Sequence, residues 1–272
     1  AKAFRKAGAA FGIGFVFGPM LGGALGAMDL RLPFIVAAAL AFINVLYGYF
    51  VLPESLAKEK RGSLHWKQVN PFGALIHLHQ LKGVSALVFI FSCSALGQFV
   101  LHTTWVLYTE FRFGWNPQQN GFALFVVGAT SALVQGIFMG RLLQKFGEFR
   151  LAMMGMLSAA IINVAYGLTT QGMYLYGLIM LNFLSFAVNP ALNSLISKSA
   201  GDHEQGLVQG ALNSINSLMM IIAPLIGTWL LASVSHLAKD DWRMGVTFFV
   251  SASLQLLAVA LAIWHFSKQH RR

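Results

Sequence analysis

The sequence predicts an all-α membrane protein of about eight transmembrane helices. Three observations carry this. Of 272 residues, 57% are hydrophobic and only 10% charged, with a mean hydropathy of +0.65; a soluble domain usually carries about 25% charge. The apolar residues come in runs of the roughly 20 needed to cross a bilayer core of about 30 Å. The runs lack strand-type alternation, and lipid offers backbone N–H and C=O groups no partner outside the segment, so each run is helix rather than barrel strand.

In chain order the spans fall at about 7–27, 32–52, 84–106, 119–140, 150–170, 172–196, 206–233 and 244–266. The first carries Gly14, Gly18, Gly22 and Gly26 four residues apart, with Gly8 and Gly12 in a second row. Spacing of four puts them on one face and lets another helix approach to backbone contact. Pro19, inside the stripe, weakens one backbone bond and favours a kink. Two readings stay open: close packing alone, or a pliable helix at a seam between two halves that rock. The second span ends at Leu52-Pro53, and the stretch after it holds Glu54, Lys58, Glu59, Lys60, Arg61, Lys67 and Lys82. It is the candidate linker, dividing the chain into 1–52, 53–83 and 84–272.

Polar residues at membrane depth are costly unless they pair or face a wet cavity, so those aligned on one helical face identify a candidate site. Gln98, His102 and Trp105 share a face of the third span, and Ser131 and Gln135 a face of the fourth. Asn182, Phe186, Asn189 and Asn193 line up on the sixth, and Asn213, Asn216 and Met220 on the seventh. Each amide either bridges helices or hydrogen-bonds a multi-oxygen cargo, while Trp105 and Phe186 supply stacking surface. His102 is the most titratable group within a span; it either switches charge as a proton crosses or sits neutral near the interface. The seventh span also echoes the first: Pro224-Leu225-Ile226-Gly227 repeats Pro19-Met20-Leu21-Gly22, as parallel repeats between transporter halves do.

Loop charges set the orientation. Lys2, Arg5, Lys6, Lys58, Lys60, Arg61, Lys67, Lys82, Arg141, Lys145, Arg150, Lys198, Lys268, Arg271 and Arg272 fall on one side. Only Arg31, Arg112, Lys239 and Arg243 fall on the other. The positive-inside rule places both termini and the long loop in the cytoplasm. Because the basic residues sit in short loops, the net charge of +10 does not indicate a nucleic-acid partner. All nine acidic residues (Asp29, Glu54, Glu59, Glu110, Glu148, Asp202, Glu204, Asp240 and Asp241) fall in loops or at span edges. A carboxylate that couples transport to protons is therefore expected elsewhere. The lone cysteine, Cys93, forms no intrachain disulfide, and His65, His77 and His79 have poor metal spacing, so no metal is expected. Walker, dinucleotide and Gly-x-Ser-x-Gly motifs are missing, so the chain reads as a non-enzyme that uses no cofactor and draws on an ion gradient.

Gly14-Phe15-Val16-Phe17-Gly18-Pro19-Met20-Leu21-Gly22-Gly23 resembles the fifth-helix antiporter signature of drug/proton exporters of the major facilitator superfamily. Leu52-Pro53-Glu54-Ser55 resembles the ending common after their sixth helix. The segment from Gly140-Arg141 through Gly147 to Arg150 is similar to their loop motif between helices eight and nine. Within the family the likeness is to tetracycline/proton antiporters, through Gly97-Gln98, Trp105, Phe113-Gly114-Trp115, Asn189-Pro190-Ala191-Leu192 and the segment from Glu204 to Gly210. Thr130-Ser131 stands where some of those exporters carry a histidine.

The resemblance implies a major facilitator helix bundle in a bacterial inner membrane, lacking helices one to four at its N-terminal side. The opening Ala1-Lys2-Ala3-Phe4-Arg5-Lys6, without an initiator Met or a signal peptide, fits a loop inside a longer protein. It further implies a small lipophilic drug as cargo, exchanged for protons, with the proton gradient as energy source. The alternatives are a symporter or uniporter for a sugar or other metabolite, and a non-transporting truncated product. The topology is checked by reporter fusions: a tag after Ser55 is expected in the cytoplasm and one after Phe113 on the opposite side, and a shared compartment would overturn it.

Overall fold

The computed structural model describes residue 14 and residues 17–51, 84–198 and 205–269. The linker 53–83 with its three histidines, and the acids Asp202 and Glu204, lie outside the described residues. Every regular element among those residues is helical, as a chain denied water along its length requires. The helices are α1 (Phe17–Met28), α2 (Leu32–Val51), α3 (Val84–Phe113), α4 (Pro117–Leu133) and α5 (Met139–Leu168). After them come α6 (Met173–Leu181), α7 (Val188–Lys198), α8 (Gln205–Val234) and α9 (Val246–Gln269).

Six stretches among the described residues are long and apolar enough to cross a bilayer, and one of them, Pro117–Leu168, runs for 52 residues. As one straight helix it would exceed twice the roughly 30 Å hydrocarbon core. It turns instead at Gly147, whose φ of 71° belongs to the left-handed region that glycine adopts without strain. The two passes on either side are the expected fourth and fifth spans, and α1 is the described part of the first. Gly147 is the one residue of the expected loop motif that breaks the helix: Gly140, Arg141 and Arg150 are all helical. Glu148, beside the turn, accepts from Lys198 Nζ and from Ser194 Oγ, tying the start of this pass to the end of α7.

Local sequence explains other boundaries. Gly114 turns the chain after α3 at φ 67°. Asn116 then caps α4: its side chain accepts from Gln119 N at 2.9 Å, and Asn116 N donates to Gln119 Oε1 at 2.9 Å, with Pro117 at the first helical position. Two transmembrane passes leave regular α geometry at mid-length. Val134–Phe138 widens to a π turn between α4 and α5, and Asn182–Ala187 tightens to a 3₁₀ helix between α6 and α7. The second irregularity has a covalent cause downstream, because Pro190 lacks the N–H that would bind the Phe186 carbonyl.

Helices α3 to α9 pack into one bundle, with the broadest interfaces between α9 and α3, α9 and α5, and α3 and α8. A mainly aliphatic cluster including Leu87, Met156, Leu192, Ile196, Leu212 and Ala258, with Phe91, fills one end. An aromatic cluster of Trp105, Tyr108, Trp115, Tyr166 and Phe248 fills the other. α2 has no buried residue and presents apolar side chains all round.

The glycine stripe packs differently from expectation. Gly14, Gly18 and Gly22 have no neighbour where a Cβ would stand, whereas Gly23 is buried against α4. A Cβ on Gly23 would sit 2.7 Å from Gly121 Cα and 2.9 Å from the Pro117 carbonyl; one on Gly121 would sit 2.9 Å from the Pro19 carbonyl. The packing row is thus Pro19, Gly23 and Gly26, so that of the four-residue stripe only Gly26 meets α4. Gly121→Val is expected to destabilise the folded protein by about 1–3 kcal/mol through overpacking. Gly22→Ala, with open space at its Cβ, is expected not to lower the melting temperature in detergent. Equal effects of the two would contradict the α1–α4 backbone contact.

Candidate functional site

The irregular turns, the amide stripes and the aromatic cluster converge on one cavity of about 590 Å³ within the bundle. This is the size range of a small-molecule site. Gln98, His102 and Trp105 reach it from α3, and Ser131 and Gln135 from the end of α4 and the π turn. Asn182 and Phe186 reach it from the 3₁₀ segment, and Asn189 and Asn193 from α7. Departure from α geometry is tolerated at membrane depth only where the backbone is covered by protein or lines a polar cavity. Each irregular turn sends side chains to that cavity: Gln135 from the π turn, and Asn182, Ser185 and Phe186 from the 3₁₀ segment.

The amides are only partly used up by each other. Asn189 Nδ2 donates to Gln98 Oε1 at 3.3 Å, linking α7 to α3 across the cavity, and Gln135 Nε2 donates to Ser131 Oγ at 2.7 Å. Ser158 Oγ donates to Asn182 Oδ1 at 3.5 Å, the outer limit of a bond. His102 is exposed on the cavity side of α3 with its ring edge-on to Phe99. Trp105 is 5% exposed and stands edge-on to Tyr166, Phe248 and Trp115, yet its Nε1–H, shielded from solvent, has no acceptor. No Asp, Glu, Lys or Arg borders the cavity among the described residues. The wall is therefore an uncharged, hydrogen-bonding surface with aromatic planes at one end.

Two expected residues lie elsewhere. Asn213 and Asn216 are not on the cavity wall; α8 turns Ala211, Leu212 and Ile215 into the bundle, which leaves Asn213 and Met220 exposed. Arg112, expected in a loop, is the last-turn cation of α3 and is only 3% exposed.

Asn163 and Gln255 contribute to the wall but belong to no aligned stripe, so face alignment passes over them. Each is the one amide in its span, and that solitary cost within an apolar run was the signal available. Gln255 is 1% exposed and doubly tied to Ser94: it accepts from Ser94 Oγ at 2.9 Å and donates from Nε2 to the Ser94 carbonyl at 3.1 Å. Tyr166 closes the far end of the cavity and its carbonyl accepts from Tyr108 Oη at 2.8 Å.

The chain matches the Major Facilitator Superfamily family model over residues 1–224. It is 32% identical over 259 residues to the class C tetracycline resistance protein of Escherichia coli, covering 95% of this chain and 64% of that relative. It is 31% identical over 261 residues to the class D protein of Salmonella ordonez, covering 96% of this chain and 64% of that relative. Multidrug resistance protein 2 of Bacillus subtilis is 30% identical over 83% of this chain and 57% of its own length. Among solved structures, the human organic anion transporter MFSD10 (TETRAN) superposes with a TM-score of 0.65 at 25% identity, covering 94% of this chain and 62% of that one. The chain thus spans less than two thirds of the length of each.

The Ser94–Gln255 pair gives a measurable consequence. Gln255→Leu leaves Ser94 without its side-chain partner and is expected to cost about 1–3 kcal/mol in the thermal unfolding of the solubilised protein. Adding Ser94→Ala should recover part of that loss. An additive double variant would show that the two side chains act separately.

Proposed function

Since the chain belongs to the major facilitator superfamily, we propose that it forms the drug-binding side of a proton-driven exporter in a bacterial inner membrane. The observation that carries this is the cavity wall itself: amides from α3, the π turn, the 3₁₀ segment, α7 and α9, with aromatic planes and no fixed charge. Such a wall suits a lipophilic compound with several oxygen or nitrogen acceptors, and curated relatives named for tetracycline and multidrug resistance support the same cargo class. Gln98, His102, Trp105, Ser131, Gln135, Asn182, Phe186, Asn189 and Asn193 are the assigned cargo contacts. Asn213 and Asn216, being off the wall, are left out of that set.

The energy source is the proton gradient, with no organic cofactor. The carboxylates that carry the proton, and the wall facing this cavity, are assigned to a second helical bundle equivalent to helices one to four together with α1 and α2. Residues 1–52 then belong to that bundle, 53–83 form a cytoplasmic connection, and 84–272 form the bundle described above. The close crossing of α1 and α4 at Gly23 and Gly121 serves as the seam on which the two bundles rock. Both ends of the chain, and the Gly140–Arg150 turn, face the cytoplasm.

Everted membrane vesicles containing the complete transporter test the reading. Drug uptake is expected when a pH gradient is imposed, and its collapse by a proton/potassium exchanger should abolish uptake. Asn189→Ala and Asn193→Ala should each change the apparent affinity for some drugs of a panel and not others, by roughly 2–10-fold, the worth of one hydrogen bond. Uptake that ignores the gradient would exclude proton antiport. Unchanged selectivity with lower expression would return both residues to packing.

A further inference from the structure

The most anomalous charge in the structure lies away from the cavity. Arg112 closes α3 beneath the aromatic cluster, 3% exposed. Its Nη1 donates to the Gly167 carbonyl at 3.1 Å, so the guanidinium sits at the C-terminal ends of both α3 and α5, where helix dipoles favour a cation. Its carbon centre is 5.8 Å from the Tyr108 ring. One bond and one ring do not satisfy five donors: Nε and Nη2 are both buried and both without an acceptor. These two donors share one edge of the planar group, the edge that a carboxylate grips with both oxygens. A buried charge with that edge empty is expensive, and its presence at the end of a transmembrane helix calls for a named partner.

The carboxylate joined to this site through the Gly167 contact is Asp241. Gly167, which takes the Arg112 bond, packs on Gly245 so closely that a Cβ on Gly245 would stand 2.5 Å from Gly167 Cα. Gly245 ends the one-turn 3₁₀ helix Trp242–Gly245, and Asp241 is the cap that begins it. Asp241 therefore lies one short turn from the Arg112 site. At present its carboxylate is held by Arg243 through the same kind of edge, with Nε donating at 3.1 and 3.2 Å and Nη2 at 2.7 Å. Those bonds depress the Asp241 carboxyl below its ordinary range, and the positive charge of Arg112 adds to the effect. Arg243 is the exposed member of the set, at 55% against 19% for Asp241.

We propose that Arg112 is a second, buried seat for the Asp241 carboxylate, so that Asp241 exchanges between Arg243 and Arg112 and latches the start of α9 to the ends of α3 and α5. The exchange trades a solvated ion pair for one that fills the open edge of Arg112, and it draws together three helices that also line the cavity, through Trp105 and Val106 of α3, Tyr166 of α5 and Gln255 of α9. The two glycines at the Gly167–Gly245 contact let the capping turn approach closely enough for the side chain to reach. This inference stands apart from the choice of cargo or coupling ion.

Carbodiimide-driven labelling of Asp241 with a soluble amine, read by tandem mass spectrometry on the full chain in lipid nanodiscs, tests the latch. The neighbouring Asp240, exposed, serves as internal reference. Arg243→Gln removes the outer guanidinium and leaves the cap bond from the residue 243 backbone N–H, 2.8 Å from Asp241 Oδ1, as the remaining outer contact. With a second seat, the carboxylate moves inward and labelling of Asp241 relative to Asp240 falls about five-fold or more. Arg112→Lys in the Arg243→Gln background keeps the charge but lacks the two-donor edge, and should restore most of the labelling. If Arg243→Gln leaves Asp241 labelling equal or faster, Asp241 has no inner seat and the proposal fails.

Discussion

The structure depends on one constraint: inside lipid, no polar group can be handed back to water. The backbone meets it by coiling into helices, and every departure from helical geometry is placed where protein or a polar cavity can receive the freed groups. The π turn at Val134–Phe138 sends Gln135 to the cavity while Ile137 and Phe138 stay exposed, and the 3₁₀ segment at Asn182–Ala187 sends Asn182, Ser185 and Phe186 to it. Several side chains obey the same rule: Gln255 is paired twice with Ser94, Asn189 bridges to Gln98, and Arg112 Nη1 donates to the Gly167 carbonyl at the end of α5, although Trp105 Nε1 and Arg112 Nε and Nη2 are buried without an acceptor.

Lipid also removes the usual reason for helices to cluster, since hydrocarbon tails are as apolar as leucine. Close approach must come from small residues that let backbones meet. Gly23 meets Gly121, Gly167 meets Gly245, Gly155 lies against Leu184 and Val188, and Gly97 packs on Ser251 and Leu254 of α9. These contacts hold the bundle at its edges and centre. The aromatic cluster around Trp105 and Phe248 seals one end, while aliphatic side chains seal the other. Between the two packed ends the helices do not fill the space, and that gap is the cavity.

Membership in the major facilitator superfamily fits this construction. A transporter needs a polar interior that does not cost the fold its stability, and amides provide it without the penalty of a fixed charge. The wall offers hydrogen-bonding and stacking surface, and among the described residues its titratable groups are His102 and the phenol of Tyr166, with no carboxylate. In the proposed function recognition and energy coupling are thus separable, the first assigned to this bundle and the second to the one facing it.

The sequence alone determined that the chain crosses the membrane, because length and hydrophobicity leave helices as the sole way to satisfy the backbone, and it determined which polar residues share a helical face. Gln98, His102 and Trp105, or Asn182, Asn189 and Asn193, were legible as stripes because helical period is a local property. Which way a stripe points is not local: lipid and protein interior are both apolar, so hydropathy does not distinguish them. Only packing decided that α8 turns Leu212 inward and leaves Asn213 outside the cavity wall, that Gly23 rather than Gly22 meets α4, and that Arg112 is buried at the junction of two helix ends. Rotation of a helix about its own axis is fixed by its neighbours' shapes, and those exist only once the bundle has formed.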